Sequence, residues 1–337
     1  MAKGKLTFCI FGAGRIGKLH ARNVAAHPRA RIKYIVDPLA KAAAALARQT
    51  GAQTAPDAAA ALADPEVDAV VIASSTNTHV DLITAAARQG KAVLCEKPID
   101  LDIGRVERCL AALKKHRVPV AIGFNRRFDP TNRAIHAAIR KGDVGNVEMI
   151  VITSRDPAPP PAAYIKVSGG LFRDMMIHDF DLARWLLGEE PVEVVAKASC
   201  RVDRSIAKAG DIDTAMVILK TARGSLCHIN NSRRATYGYD QRVEVFGSKG
   251  MVRSDNLRPT AILKSNAVAT DARDVLLQFF VERYAEAYLH EIDDFIGTVL
   301  AGRKPSVDAE DGRQALVLAD AALESHRSGK TITLSRR

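Results

Sequence analysis

The first part of the chain alternates short apolar runs with longer stretches whose apolar residues recur at helical spacing. The apolar runs have the length of strands: Leu6–Phe11, Arg31–Val36, Ala69–Ala73, Ala92–Cys95 and Pro119–Ile122. The stretches between them predict helices over Ile16–Ala26, Leu39–Gln49, His79–Gln89 and Leu101–His116. Strands that alternate with helices of this length are typical of βαβ units on a parallel sheet. We therefore predict a doubly wound α/β domain over residues 1–122.

The pattern changes after residue 122, where strands follow one another more closely. Strands are predicted over Val147–Arg155, Val192–Arg201, Thr214–Thr221, Gly224–Asn231 and Gln241–Phe246. Helices are predicted over Asp129–Lys141, Phe279–Leu300 and Gly312–His326, and one helix is predicted within Ser168–Gly188. The proline-rich piece Asp156–Pro161 must be irregular, because successive prolines can neither join a ladder nor continue a helix. Runs of strands with a helical layer favour an α+β domain with a mostly antiparallel sheet over residues 123–337.

A glycine-rich turn, Gly12-Ala13-Gly14-Arg15-Ile16-Gly17, joins the first predicted strand to the first predicted helix. Its glycines permit a close backbone approach, and the helix N-terminus presents N–H groups that suit a pyrophosphate. Asp37 ends the next strand 20 residues after Gly17, where a carboxylate can accept hydrogen bonds from ribose hydroxyls and repel a 2′-phosphate. The pattern predicts NAD rather than NADP, and a purely structural turn is the alternative.

Asp174 and His178 form a candidate acid–base pair. They are four residues apart, so on one helix they share a face, and Asp181 stands three residues further along. An imidazole has a reference pKa of about 6.5, which suits proton transfer near neutral pH, and carboxylates can fix its tautomer. Ordinary charges on a helix surface are the alternative. A metal site is disfavoured because no second histidine stands at ligand spacing.

Lys97 is a candidate substrate contact. It follows the strand Ala92–Cys95 in the sequence Cys95-Glu96-Lys97-Pro98. Ligands of doubly wound sheets bind at the carboxyl ends of the strands, where a lysine can donate a hydrogen bond to a substrate oxygen. An ordinary surface lysine fits the same pattern.

The charge and the apolar runs limit the classes of partner. A formal net charge of +11 would attract an anionic ligand. The basic residues are nevertheless dispersed, with pairs such as Arg126-Arg127 as the densest pieces, and no nucleic-acid-binding motif is present. No apolar run approaches the roughly 18–20 residues that a membrane-spanning helix needs. We expect neither nucleic acid nor a membrane as a partner.

The cysteines and the N-terminus favour a cytoplasmic protein. The 5 cysteines are scattered and include no C-x-x-C pair, so we expect reduced thiols rather than a disulfide framework or a structural zinc site. The segment Met1–Lys5 runs directly into a strand and does not resemble a targeting signal.

Several segments, taken in this order, resemble the Gfo/Idh/MocA family of oxidoreductases. They are Gly12–Gly17, Ala73–His79 (ASSTNTH), Gly90–Pro98 (GKAVLCEKP) and Gly169–Asp181. Longer strings resemble the branch of the family that oxidises inositols: Gly123–Pro130 (GFNRRFDP), Thr153–Pro161 (TSRDPAPPP), Gly170–Asp181 (GLFRDMMIHDFD), Asn231–Arg242 (NSRRATYGYDQR) and Val243–Met251 (VEVFGSKGM). The resemblance covers essentially the whole chain.

The resemblance implies a Rossmann domain followed by a domain on an open sheet that often mediates dimers and tetramers. It implies catalytic roles for Lys97, Asp174 and His178, and a cis peptide bond before Pro98. Together with the glycine turn it implies cofactor contacts from Gly12, Gly14, Arg15, Ile16, Gly17, Asp37, Ser74, Thr76, Asn77, His79, Glu96, Lys97 and Tyr284. It implies substrate contacts from Lys97, Asn125, Arg127, Asp156, Asp174, His178 and Tyr237.

The expected function is that of an NAD-dependent dehydrogenase, a homotetramer in the cytoplasm. It would oxidise one ring hydroxyl of myo-inositol to 2-keto-myo-inositol (scyllo-inosose), with His178 as the general base. The same chemistry on scyllo-inositol, D-chiro-inositol or a pyranose such as glucose stays open, because no spacing distinguishes these substrates. A non-catalytic NAD-binding regulator is the remaining alternative, and such a protein would be expected to lack the lysine or the histidine.

Overall fold

The computed structural model describes residues 4–334 and separates into two compact units. The first unit consists of the chain through Phe128 together with Glu286–Leu316, and the second of Asp129–Ala285 with the chain from Val317 onward. Residues 1–3 and 335–337, including the beginning of the N-terminal segment considered above, lie outside the described part. Within residues 4–334, no helix combines the length and the apolarity needed to cross a bilayer.

The first unit is built on a six-stranded sheet. Its strands are β1 (Leu6–Phe11), β2 (Ala30–Val36), β3 (Gln53–Thr54), β4 (Ala69–Ile72), β5 (Ala92–Glu96) and β6 (Val120–Gly123). The helices of this part of the chain are α1 (Arg15–Ala26), α2 (Ala40–Thr50), α3 (Ala58–Ala63), α4 (His79–Arg88) and α5 (Ile103–Leu113). Short 3-10 helices cover Thr76–Thr78 and Asn125–Phe128.

The order β3-β2-β1-β4-β5-β6, with every pair parallel, is that of a Rossmann sheet. All residues of the central strands β1 and β4 are buried, as expected when helices cover both faces. The prediction of a doubly wound parallel sheet is confirmed. The two-residue strand β3 and the six-residue helix α3 were not predicted, because elements this short show no periodicity.

The second unit contains the remaining strands: β7 (Val147–Arg155), β8 (Pro191–Ser199), β9 (Thr214–Thr221), β10 (Leu226–Ser232), β11 (Asp240–Gly247), β12 (Gly250–Arg253), β13 (Leu263–Lys264), β14 (Ala272–Arg273) and β15 (Ile332–Thr333). The helices that follow α5 along the chain are α6 (Pro130–Lys141), α7 (Ala162–Ser168), α8 (Gly170–Asp174), α9 (Ile177–Leu187), α10 (Arg204–Lys208), α11 (Phe280–Arg283), α12 (Ala285–Ala301) and α13 (Ala309–Ser328).

The large sheet of the second unit has the order β12-β11-β7-β10-β9-β8-β15. Only β7 and β10 pair in parallel within it, so the prediction of a mostly antiparallel sheet is confirmed. One face packs on a core that includes Phe180, Leu186 and Leu318. The other face leaves a row of apolar side chains exposed on neighbouring strands: Met251, Phe246, Met149 and Leu226.

Helix α12 belongs almost entirely to the first unit, although the sequence-based division at residue 122 places it in the second domain. Its residues Ile292, Phe295 and Ile296 share a core with Leu6 and Phe8 of β1. The rings of Phe8 and Phe295 meet edge to face with centroids 6.2 Å apart. An amphipathic pattern shows that a helix has an apolar face, but it does not show which sheet that face covers.

Candidate active site

The glycine turn has the shape that its sequence predicts. Gly12 has a φ of +102°, and a Cβ added there would lie 2.4 Å from the carbonyl oxygen of Ala73. A Cβ on Gly17 would lie only 2.0 Å from the carbonyl oxygen of Gly12. Both glycines are therefore required by the protein's own backbone, which passes closely over itself at the end of β1.

Gly14 is different, because a Cβ there would meet no protein atom within 4 Å. It is the N-cap of α1, with Arg15 and Ile16 opening the helix, and no side chain caps the first turn. Asp37, just after β2, accepts hydrogen bonds from the backbone N–H of Ala13 at 2.7 Å and of Leu39 at 2.8 Å. The open space at Gly14, the uncapped helix and the fixed carboxylate fit a dinucleotide with free ribose hydroxyls.

The loop after β4 carries Ser74, Thr76, Asn77 and His79. The Ser74 and Thr78 hydroxyls lie 2.6 Å apart, and Asn77 is exposed. His79 is buried, with Nδ1 2.8 Å from the carbonyl oxygen of Pro98 and Nε2 3.1 Å from that of Ser74. Burial lowers the pKa of His79. We interpret the His79 imidazole as a tie between the loops after β4 and β5.

Glu96 and Lys97 stand at the end of β5. Glu96 accepts a 2.7 Å hydrogen bond from Nε2 of His20, whose side chain is buried on α1, and a 3.3 Å bond from the backbone N–H of Lys97. The Lys97–Pro98 peptide bond is cis, as the resemblance implied. The helix of the glycine turn and the loop of the candidate catalytic lysine are thus joined through one carboxylate.

Asn125 and Arg127 lie in the 3-10 helix that follows β6. Asn125 is buried, and its Nδ2 has no hydrogen-bond partner within residues 4–334. Arg127 is also buried, and its Nη2 donates to Oδ1 of Asp311 at 2.9 Å. The predicted residues of the first unit therefore follow β1, β2, β4, β5 and β6, and they share the carboxyl edge of the parallel sheet, where doubly wound folds bind ligands.

In the second unit, Asp174 and His178 lie on two successive helices rather than on one. Asp174 ends α8, Met175 and Met176 form a turn, and His178 lies in the first turn of α9. The backbone N–H groups of Met175 and Met176 both donate to the carbonyl oxygen of Leu171, which ends the first helix. The expectation that Asp174 and His178 lie on one helix is wrong, since the periodicity of the segment does not reveal this turn.

The two carboxylates nearest to His178 in the sequence each have contacts with other side chains. Asp181 is buried, and Nη1 of Arg184 lies 3.7 Å from its Oδ1. Asp174 itself accepts a 2.8 Å hydrogen bond from the hydroxyl of Tyr164 and a 3.4 Å bond from Nη2 of Arg233. The carboxylate of Asp174 is thus fixed from two sides.

Asp156 and Tyr237 lie at one edge of the second sheet. Asp156 follows β7, and the parallel partner strand β10 ends beside it, because Ser232 pairs with Arg155. The hydroxyl of Tyr237 donates to Oδ2 of Asp240 at 2.7 Å and accepts from Nη1 of Arg155 at 2.9 Å. This edge presents carboxylate, phenol and guanidinium groups, which suit a ligand made of hydroxyls.

Asp240 is the buried centre of this edge. Burial raises the pKa of Asp240, but hydrogen bonds from Arg242, Asn256 and Tyr237 outweigh burial and leave the pKa below its ordinary value. The side chain is therefore an anion that fixes the position of the Tyr237 hydroxyl.

Tyr284 is also placed in the second unit. It is buried, its hydroxyl donates to Oε1 of Gln241 at 3.2 Å, and the Arg283 guanidinium lies 4.6 Å from the ring centroid. Its contact with the cofactor stays a prediction.

Three residues with roles at the site were not identified from the sequence: His20, Tyr164 and Arg233. His20 stands three residues after Gly17, on the buried face of α1, which is a usable signal in retrospect. Tyr164 and Arg233 contact Asp174 from 10 and 59 residues away in the sequence, and no local pattern marks either one.

Comparison with known domains identifies the family. Residues 6–124 match the NAD-binding Rossmann fold of the oxidoreductase family, and residues 132–253 match the GFO/IDH/MocA C-terminal domain. The chain belongs to the Gfo/Idh/MocA family of oxidoreductases. In this Gfo/Idh/MocA chain the matched Rossmann domain is the one that holds the glycine turn, so NAD is its cofactor.

Relatives of this Gfo/Idh/MocA chain resemble it over nearly their whole length. The inositol 2-dehydrogenase of Rhizobium meliloti is 50% identical over 332 residues, which cover 97% of this chain and 99% of the relative. A crystal structure of a myo-inositol dehydrogenase from Corynebacterium glutamicum matches with a TM-score of 0.95 and 46% identity, covering 99% of this chain and 100% of that one. The scyllo-inositol dehydrogenase of Lactobacillus casei with bound NAD(H) and scyllo-inositol matches with a TM-score of 0.91 and 29% identity, covering 98% and 99%.

Proposed function

We propose that this chain oxidises myo-inositol to 2-keto-myo-inositol with NAD⁺, and that Lys97, Asp174 and His178 act together on the reacting hydroxyl. The observation that carries the proposal is that all three side chains are present in a chain 50% identical to an inositol 2-dehydrogenase over 99% of that enzyme's length. A non-catalytic NAD-binding protein would have no need of this set.

The reaction moves one proton and one hydride from the same carbinol. The O–H proton goes to the imidazole of His178, the C–H bond breaks with its electron pair leaving as hydride, and a C=O bond forms. Bound NAD⁺ supplies the acceptor for the hydride. His178 afterwards releases its proton to solvent, so the products are the ketone, NADH and H⁺.

The other two side chains stabilise charge as it develops. The ammonium of Lys97 donates to the reacting oxygen and favours its alkoxide character. The carboxylate of Asp174, fixed by Tyr164 and Arg233, stabilises the imidazolium that forms on His178. Positioned proton transfer of this kind typically contributes about 10²–10⁴-fold to the rate.

The polar groups of the second unit define the class of substrate. A polyol presents hydroxyls and C–H groups, and Asp156, Asp174 and Tyr237 supply acceptors and donors for hydroxyls. A site built to hydrogen-bond a hydroxyl rejects analogues that lack it, because its own polar groups are then left unpaired. Asn125, whose buried Nδ2 has no protein partner within residues 4–334, adds a donor from the first unit.

A substrate panel tests the proposal. The purified full chain is incubated with NAD⁺ and myo-inositol, scyllo-inositol, D-chiro-inositol or glucose, and NADH absorbance is followed. We expect the highest kcat/KM with myo-inositol. A higher value with another polyol would replace the substrate while leaving the chemistry intact, and no NADH with any polyol would contradict the proposed function.

We also propose a homotetrameric assembly in the cytoplasm. The exposed apolar row Met251, Phe246, Met149 and Leu226 crosses four adjacent strands, and contiguous patches of this kind mark interaction surfaces. All five cysteines are free thiols, which is consistent with a reducing compartment. Light scattering of the purified chain should give the mass of four chains of 36.4 kDa, and a monomer mass would contradict the assembly.

A further inference from the structure

Arg233 is a buried arginine in the second unit. It follows β10, its backbone N–H donates to the carbonyl oxygen of Asp213 at 2.9 Å, and its side chain is 1% exposed. It is the largest of the fully buried side chains in the described part of the chain. A guanidinium keeps its proton in proteins, so a buried arginine is a permanent charge that needs a negative partner.

The partners of Arg233 are two carboxylates. Its Nη2 lies 3.4 Å from Oδ2 of Asp174 and 3.8 Å from Oδ2 of Asp211. Asp211 also accepts a 3.0 Å hydrogen bond at Oδ1 from the backbone N–H of Leu171. Leu171 lies near the beginning of α8 and Asp174 at its end, so Arg233 and Asp211 together hold both ends of this short helix.

The two carboxylate oxygens of Asp174 accept hydrogen bonds from different side chains. Tyr164 donates to Oδ1 and Arg233 to Oδ2, which fixes the carboxylate plane. Asp174 is also a counter-ion of a cation that cannot be neutralised.

We propose that Arg233 is a positioning residue of the active site, which holds the carboxylate of Asp174 in the orientation that its role with His178 requires. The inference rests on the proposed function, because it assigns Asp174 to the reaction. The effect of Arg233 on the reaction passes through Asp174, and this distinguishes it from an arginine that merely stabilises the fold.

The test uses Arg233→Met, with Arg234→Met as the matched control, because Arg234 is the adjacent arginine and is exposed. Loss of the guanidinium frees Asp174 to shift, and misplacement by about 1 Å can reduce a rate about 10²-fold. We expect Arg233→Met to lower kcat/KM for myo-inositol by about 10- to 100-fold, mainly through kcat, while the Kd for NAD⁺ stays within about twofold. Arg233→Lys, which keeps the charge but not the fork, should recover part of the loss.

A double-mutant cycle separates positioning from stability. In an Asp174→Asn background, Arg233→Met should lower kcat/KM by less than about twofold further, because the carboxylate that Arg233 holds is already absent. Full additivity of the two losses would overturn the proposal, as would a folded Arg233→Met variant with the kcat/KM of the wild type. If Arg233→Met does not fold, the same cycle is run with Arg233→Lys, and a wild-type kcat for that variant overturns the proposal.

A wild-type chain that forms no NADH with any polyol refutes the proposed function and this role with it, whereas an active wild type matched by the variant refutes this role alone.

Discussion

The glycine turn of the first unit is formed by backbone atoms, whereas the polar edge of the second sheet, around Asp156 and Tyr237, is formed by side chains. The turn is made of backbone: Gly12 and Gly17 are required because a Cβ at either would collide with main-chain atoms. The polar edge is made of side chains, such as Arg155, Tyr237 and Asp240, that fix one another across separate strands. One region depends on the absence of side chains, and the other depends on their mutual hydrogen bonds.

This difference determines how each region responds to change. A backbone site tolerates no added atom where the chain approaches itself, but its positive potential comes from N–H groups that every residue except proline retains. A side-chain site can lose one member and keep its fold, while the remaining charges are left partly paired. Substitutions in the first region should therefore affect cofactor affinity, and substitutions in the second should affect the rate of the chemical step.

The largest effect is expected from His178→Ala in the second unit. Without a base for the hydroxyl proton, kcat should fall by about 10²–10⁴-fold. The Kd for NAD⁺, measured by titration of the cofactor's fluorescence or by calorimetry, should not change. Near-normal turnover by this variant would refute the base assignment.

Asp37→Ala should show the opposite behaviour. Its carboxylate accepts hydrogen bonds from Ala13 and Leu39 and is the predicted acceptor for the ribose hydroxyls. Hydrogen bonds to a charged group are worth about 1.5–3 kcal/mol, so NAD⁺ should bind about 10- to 100-fold more weakly. At saturating NAD⁺ the kcat should recover, and an unchanged Kd would count against the dinucleotide assignment.

A matched pair of glycine substitutions distinguishes a glycine that the folded backbone requires from a glycine that leaves space for the cofactor. Gly17→Ala places a Cβ 2.0 Å from a carbonyl oxygen and should lower the free energy of unfolding by about 1–3 kcal/mol. Gly14→Ala meets no protein atom within 4 Å and should leave Tm unchanged while weakening NAD⁺ binding. Thermal unfolding with and without NAD⁺ checks both. Equal losses of Tm in the two variants would contradict this distinction.

A further prediction concerns a buried acid in the first unit. Glu291 on α12 is 1% exposed, and neither carboxyl oxygen has a hydrogen-bond partner within residues 4–334. Burial, and then the charge of Glu96, raises the pKa of Glu291 well above its ordinary value. When the pH is above the ordinary pKa of a glutamate, Glu291 keeps its proton in the folded chain, whereas the unfolded chain has released it. Stability is therefore lost as pH rises, by at most about 1.4 kcal/mol per pH unit.

Glu291→Gln removes this titration. The variant should gain Tm relative to the wild type as pH increases from about 5 to 8. Glu286→Gln, an exposed glutamate on the same helix, is the matched control and should show no such trend. A Tm difference between Glu291→Gln and the wild type that is constant with pH would contradict the raised pKa.

The strands were the part of the fold that the sequence predicted best. The strands Val147–Arg155 and Thr214–Thr221 were predicted at their observed bounds, because a clear alternation or a β-rich run marks them. The turn at Met175–Met176 was missed, because both residues keep helical dihedrals while the hydrogen bonds change. The place of α12 was also missed, since it depends on a core contact with β1 almost three hundred residues earlier.

The candidate site likewise contains residues that local sequence predicts and residues that it does not. The glycine turn and Asp37 were predicted with a physical reason, because consecutive residues build that site. Arg233 and Tyr164 could not be predicted, since each contacts Asp174 only after the chain has folded. The imidazole of His79 lies between two backbone carbonyls, which no property of its sequence segment indicates, and its contact with the cofactor stays a prediction.

The most direct test of the central claim is a crystal structure of the full chain with NAD⁺ and myo-inositol. The account predicts one hydroxyl oxygen within hydrogen-bond distance, about 2.6–3.2 Å, of both His178 and the Lys97 ammonium. The carbon that bears this oxygen should lie about 3–3.5 Å from the reactive carbon of the nicotinamide. A bound inositol whose hydroxyls contact neither His178 nor Lys97, or whose ring carbons all lie out of hydride reach, would contradict the account.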